Sequence, residues 1–223
     1  MIAYLGVRHI TGIKKWEPYA KARYIAGLAQ EGSSIEEIQQ TIGDRGTSVR
    51  KIYFCYKLIE IMEEESEGSG EQAKELFSYL LLALGQGPIK EYLGVQKNWL
   101  EIDFDSPIPR GKIKQLKNLF SFLFGEGKQK PQVIKESRDI TNKLTSILAN
   151  KESAEYLERT RDLEGAFDRS EGEQQLLVKQ LEKANRELEK SLGIIHRHKD
   201  KEIITLINQC KDTIEQLLKS ISD

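Results

Sequence analysis

Between positions 45 and 51 the chain carries Arg45, Thr47, Ser48, Arg50 and Lys51, three cations and two hydroxyls in one short stretch. Side chains of these types suit duplex DNA. Arginine bonds guanine bidentately in the major groove, and Ser or Thr serves either kind of base-edge group. Neighbouring Lys and Arg neutralise phosphates. Lys14 and Lys15 upstream, and Arg110 and Lys112 downstream, are further candidates for backbone contact. The basic run Arg110, Lys112, Lys114 and Lys117 reads first as a solvated helix face and only second as a phosphate contact.

Other chemistry is thinly represented. His9 has no titratable partner at a useful spacing. His196 and His198 are two apart, so on a helix they point to different faces, whereas a metal pair wants i, i+4. Asp103 and Asp105 lack a histidine or a carboxylate cluster to complete a metal site. Cys55 and Cys210 are distant and read as reduced thiols of a cytoplasmic protein. No nucleophile–base pair, phosphate-cradling glycine loop or metal cluster emerges, so no catalytic residue, metal or cofactor is expected.

The elements that must position the cationic stretch are legible. Ser33 or Ser34 is a good N-cap, followed by Glu36 and Glu37 at the positive end of a helix. If Ser33 is the cap, Glu36 completes a capping box. Ile35, Ile38 and Ile42 share one face, and Gly43 ends the helix. A second helix starts within 44–48 and buries Val49, Ile52, Tyr53, Tyr56 and Ile59, leaving Arg45, Thr47, Ser48, Arg50 and Lys51 near its exposed N-terminal end. A helix from about Glu17 to Gln30, with Pro18 in its first turn, braces the pair. Three helices in this order make a helix-turn-helix core.

The stretch GVRHITGIKKWEPYAKARYIAGLAQEGSSIEEIQQTIGDRGTSVRKIYFCYKLIE resembles the start of the DNA-binding region of ParB-like proteins. Leu28, Gly32, Ile35, Glu37, Ile38, Ile42, Gly43, Val49 and Arg50 fit that pattern. The resemblance covers roughly residues 5–62. It implies binding of double-stranded DNA, with later helices completing the domain. In that family the segment follows a nucleotide-binding domain. Residues 2–7, IAYLGV, look like that domain's last strand, and nucleotide binding is not carried over to this chain. Gly46 departs from the pattern, since glycine loosens a helix start.

The whole chain supports an all-α protein: 39% hydrophobic, 31% charged and only five prolines in 223 residues. A net charge of −1 gives no global pull towards nucleic acid, so any binding face is local. Residues 1–61 hold nine Lys or Arg against six Asp or Glu, a modest surplus. The spacing predicts a remnant strand plus helix-turn-helix core over 1–62 and further helices over 63–124. A linker at 125–132, GEGKQKPQ, would mark the domain boundary, with C-terminal helices over 133–223. Within this frame helices are predicted at about 72–84, 89–95, 110–124 and 133–148, and a short edge strand or extended loop at 99–104. The steps Ile203, Ile207, Cys210, Ile214, Leu217 and Ile221 alternate four and three, a narrow seam that needs a partner helix, either within the chain as a helical hairpin or from a second copy as a dimerising coiled coil.

Two functional expectations follow. One is sequence-specific or semi-specific double-stranded DNA binding as a homodimer joined by the C-terminal helices, with a nucleoid-associated location. The alternative is a non-catalytic helical adaptor that binds a protein partner through the amphipathic tail. No apolar run reaches membrane-spanning length.

Overall fold

In a computed structural model of the chain, the structure describes residues 17–44, 46–65, 70–127, 129–170, 172–198 and 200–222. The fold is all-α, with no strand among the described residues. The β-like run at 2–7, His9, Lys14, Lys15 and Arg45 lie outside them.

The first three helices are α1 (Pro18–Gln30), α2 (Ile35–Ile42) and α3 (Ser48–Glu65). Ala22, Ile25 and Ala26 of α1 and Ile38 and Ile42 of α2 are buried, and the helices pack on one another and on α3. Ser34 is the N-cap of α2. Its hydroxyl accepts from the Glu37 amide, and the Glu37 carboxylate accepts from the Ser34 amide, a capping box one residue later than Ser33 would set it. Ser33 is already committed, since its amide donates to Leu28 and closes α1. Those bonds from Ser34 hold the Glu37 carboxyl below the ordinary carboxylate value.

α3 is buried more widely than its expected stripe. Phe54, Cys55, Leu58 and Met62 are buried besides Val49, Ile52 and Ile59, while Tyr53 and Tyr56 are only half-buried. The cause is a second layer on its other side. α5 (Phe77–Ala83) packs there, preceded by α4 (Glu71–Glu75), and so does the Trp99–Glu101 3-10 turn. Trp99 meets Phe54 edge-on at 5.8 Å, and Phe104 lies 5.1 Å from Tyr53. The segment expected as an edge strand or extended loop is therefore a strap across α3. The helix expected over 72–84 is divided at Leu76 into α4 and α5, with Ala73 and Phe77 both buried in the core.

α6 (Gly87–Tyr92) and α7 (Ile113–Phe124) follow, α7 preceded by a 3-10 turn at Arg110–Lys112. After α7 the chain reverses at Gly125 instead of leaving the domain. The amides of Val133 and Ile134 both donate to the Phe122 carbonyl, satisfying an orphan acceptor at the end of α7. That use of the backbone keeps 133–136 out of helix, so helix begins only at α8 (Ser137–Asp139) and not at 133. α8 runs through a π-helical turn, Ile140–Leu144, into α9 (Thr145–Ala149). α9 packs on α6, and α10 (Lys151–Thr160) and α11 (Leu163–Asp168) close the layer. Arg161 fastens it, donating to Ser121 Oγ at 2.6 Å and to the Pro131 carbonyl at 2.7 Å.

The chain divides after Glu173, not at 125–132 as the glycine-bearing turn suggests. The second unit holds α12 (Gly172–Leu192), a 3-10 turn at Ile195–Arg197 and α13 (Lys201–Ser222). Neither long helix packs along the other among the described residues.

Candidate nucleic-acid interface

The bend between α2 and α3 is built by backbone chemistry. Gly43 sits at φ 75°, ψ 24°, its amide donating to Gln40 and the Asp44 amide to Gln39, a Schellman closure that an L side chain strains. Asp44 then caps α3. Its carboxylate accepts from the Gly46 amide at 3.1 Å and the Val49 amide at 2.8 Å. Gln39 Nε2 donates to the Gly46 carbonyl at 2.6 Å and ties the turn to α2. Gly46, which loosens a free helix start, is thus pinned on both its polar groups.

This frame leaves Thr47 and Ser48 exposed on the first turn of an 18-residue helix. Arg50 departs from the expectation of an exposed cation. It is 9% exposed, its guanidinium is ion-paired to Glu36 of α2, and it lies 6.0 Å from the Phe104 ring. Its Nε is buried without a hydrogen-bond acceptor. Helical phase explains the correction: Arg50 follows Val49 into the junction with α2, where Phe104 of the strap covers it.

Lys51 is half-buried, its Nζ beside Gly85 at the carbonyl end of α5, where a cation meets the negative pole of the helix. Lys90 lies close by, buried, with its Nζ donating to the Lys97 carbonyl and standing 4.6 Å from the Trp99 ring. Burial first, then the charges of Lys51 and Lys97, push the Lys90 ammonium below its ordinary value. Sequence reasoning passed over Lys90. Nothing local marks it, because its partners come from a later loop.

Around α7, Arg110 is exposed, and Lys112 lays its stem against Gly94. Lys114 and Lys117 are neutralised by Glu158 at 2.9 Å and Glu65 at 2.8 Å. The Tyr92 hydroxyl, pushed up to about 12 chiefly by burial, joins Asn118 to Glu158. The basic run is thus half committed to holding helices together. Asp103 and Asp105 form a local turn, the Asp105 amide donating to Asp103 Oδ1. Among the described residues no group of three potential metal ligands is assembled, and no helix is long and apolar enough to cross a membrane.

The candidate surface is therefore Thr47 and Ser48, flanked by Lys51, with the capping Asp44 adding negative charge beside it. No family model matches the chain, and neither a curated protein nor a solved structure matches it.

Proposed function

We propose that the first unit binds double-stranded DNA through the N-terminal end of α3, in the manner its resemblance to ParB-like proteins implies, and that the chain acts as a homodimer joined by its tail. The observation that supports this reading is the Gly43-centred bend, which holds the hydroxyls of Thr47 and Ser48 outward on the first turn of a braced helix. That is the part of a recognition helix that meets base edges. Arg45 belongs to this reading from its place in the sequence. Arg50 takes a supporting role, fixing α2 against α3. No catalytic step is part of the proposal.

A second reading, a helical adaptor, is favoured by two observations. The cation best placed to read a base is covered, and the second unit exposes apolar residues on both long helices. Fluorescence anisotropy of labelled duplex DNA across a salt series separates the two. DNA binding predicts micromolar or tighter affinity with a steep fall as salt rises, from counterion release. Arg45→Ala/Thr47→Ala/Lys51→Ala should then bind at least about tenfold more weakly with a shallower salt slope, since those cations and that hydroxyl are the contacts assigned. Equal affinity and slope for the triple variant would remove the recognition-helix assignment and leave the adaptor.

A further inference from the structure

We infer that α13 pairs in parallel and in register with α13 of a second copy of this chain. This rests on the reading of the tail as a dimer seam and adds its partner helix and direction. Ile203, Ile207, Cys210, Ile214, Leu217 and Ile221 keep a strict 3.5-residue period over the helix, the repeat of a supercoiled helix pair and not of a helix lying on a globular core. The stripe is bare. Ile207, Ile214, Leu217 and Ile221 are between 43% and 80% exposed. α12 does not cover it, for its own Leu181 and Leu188 are exposed as well.

Composition and charge select the partner. The spacing places isoleucine at every a position, 207, 214 and 221, with Ile203, Cys210 and Leu217 at d. The all-isoleucine a layer with Leu217 at d is the pattern that favours two parallel strands. Lys211 falls at e, and Leu206 at g. In a parallel pair the stem of Lys211 lies over Leu206 of the other copy, its ammonium reaching water. In the antiparallel pair that matches Ile207 to Leu217, Lys211 instead meets its own symmetry mate, ammonium against ammonium. Flanking e and g residues set strand direction by such contrasts. Area agrees. A half-exposed Ile or Leu leaves on the order of 100 Å² in water. Closing two such stripes therefore removes on the order of 1,000 Å², the threshold of a specific interface.

The test uses the full chain without DNA. Sedimentation should give a concentration-dependent dimer, and Ile214→Asp should weaken it at least about 100-fold by placing a charge in the seam. Because that variant also threatens the helix itself, direction is read separately. In a Cys210→Ser background, Lys201→Cys places a thiol at the start of α13, where Lys201 is exposed. Cys55 is fully buried and stays silent. A bismaleimide of medium reach, about 15 Å, should join the two copies at position 201, an outer position on paired helices each about 10 Å wide. Antiparallel helices of this length hold those positions about 30 Å apart, so a dimer that fails to cross-link overturns the inference. A monomer at high micromolar concentration, or a larger oligomer, overturns it equally. A cross-linked dimer that ignores DNA would sink the proposed function and leave this inference standing. DNA binding by a monomer would overturn this inference and leave only the DNA-binding part of the proposed function standing.

Discussion

The Arg50–Glu36 pair offers an asymmetric test, because one partner is buried and the other is not. Their side chains are 11% and 62% exposed. Glu36→Ala strands a buried guanidinium whose Nε already lacks an acceptor. An unmade hydrogen bond on such a group costs about 1–3 kcal/mol, and water reaching the Glu36 side relieves part of it, so about 1.5 kcal/mol is expected. Arg50→Met removes the charge and the orphaned Nε together while keeping the stem under Phe104. Replacing a covered charge with an apolar chain of similar length is often neutral, so its cost should stay below about 0.5 kcal/mol. With roughly 2–4 °C per kcal/mol for a unit of this size, Glu36→Ala should lower Tm by about 3–6 °C and Arg50→Met by about 2 °C at most. The double variant should recover most of the Glu36→Ala loss. Calorimetry of the four proteins reads this directly. Arg50→Met falling further than Glu36→Ala would refute the claim that the pair is governed by the buried end. A loss of DNA affinity of more than about tenfold in Arg50→Met, a cost typical of a base-reading arginine, would return Arg50 to the recognition surface.

Three further outcomes are expected. Gly125→Ala should destabilise the first unit far more than Gly43→Ala. Both glycines have φ near 76°, but a Cβ at Gly125 would come within 2.7 Å of the Gln132 amide nitrogen, while at Gly43 it meets open space. The Gly43 cost is then about 1 kcal/mol of backbone strain, read by urea denaturation. Glu37 and Glu126 have carboxyls held low, by bonds from Ser34 and from Lys130 respectively. The unfolded chain therefore binds protons that the folded one does not. Their stabilisation is present above the ordinary value of 4.5 and is lost as pH falls through the lower folded values. Glu37→Gln/Glu126→Gln should flatten that acid limb in pH-dependent melts, with the loss against wild type largest near neutrality and closing as pH falls. A thiol reagent should leave Cys55 of the folded chain unmodified, because burial pushes its thiol far up; fast labelling of Cys55 without denaturant would contradict the packing of α3.

Sequence pattern carried the local parts of this account well. The Gly43 bend, the capping of α2 and the three-helix order are set by residues within a few positions of one another, and each was visible in the spacing. What escaped is non-local. Arg50 is covered because Glu36 lies across the α2–α3 junction and Phe104 arrives from a strap 54 residues later, and periodicity within α3 contains neither fact. The 125–132 turn has the composition of a linker, yet the amides that follow it finish off α7, so a domain boundary expected there is an internal reversal. Lys114 and Lys117 look like a phosphate-facing stripe until Glu158 and Glu65 appear opposite them. Composition records which charges exist. Which of them are already spoken for is decided by the tertiary fold.

The guanidinium of Arg161 donates at once to the end of α7 and to the backbone at Pro131, and Arg161 itself is held at φ 57°, ψ 18°. Both sides of the Gly125 reversal are thus moored to one cation that belongs to neither. Covalent continuity through the tip of that reversal is dispensable for keeping its two sides together. A protease cut there would yield a nicked molecule that travels as one particle and comes apart only in denaturant.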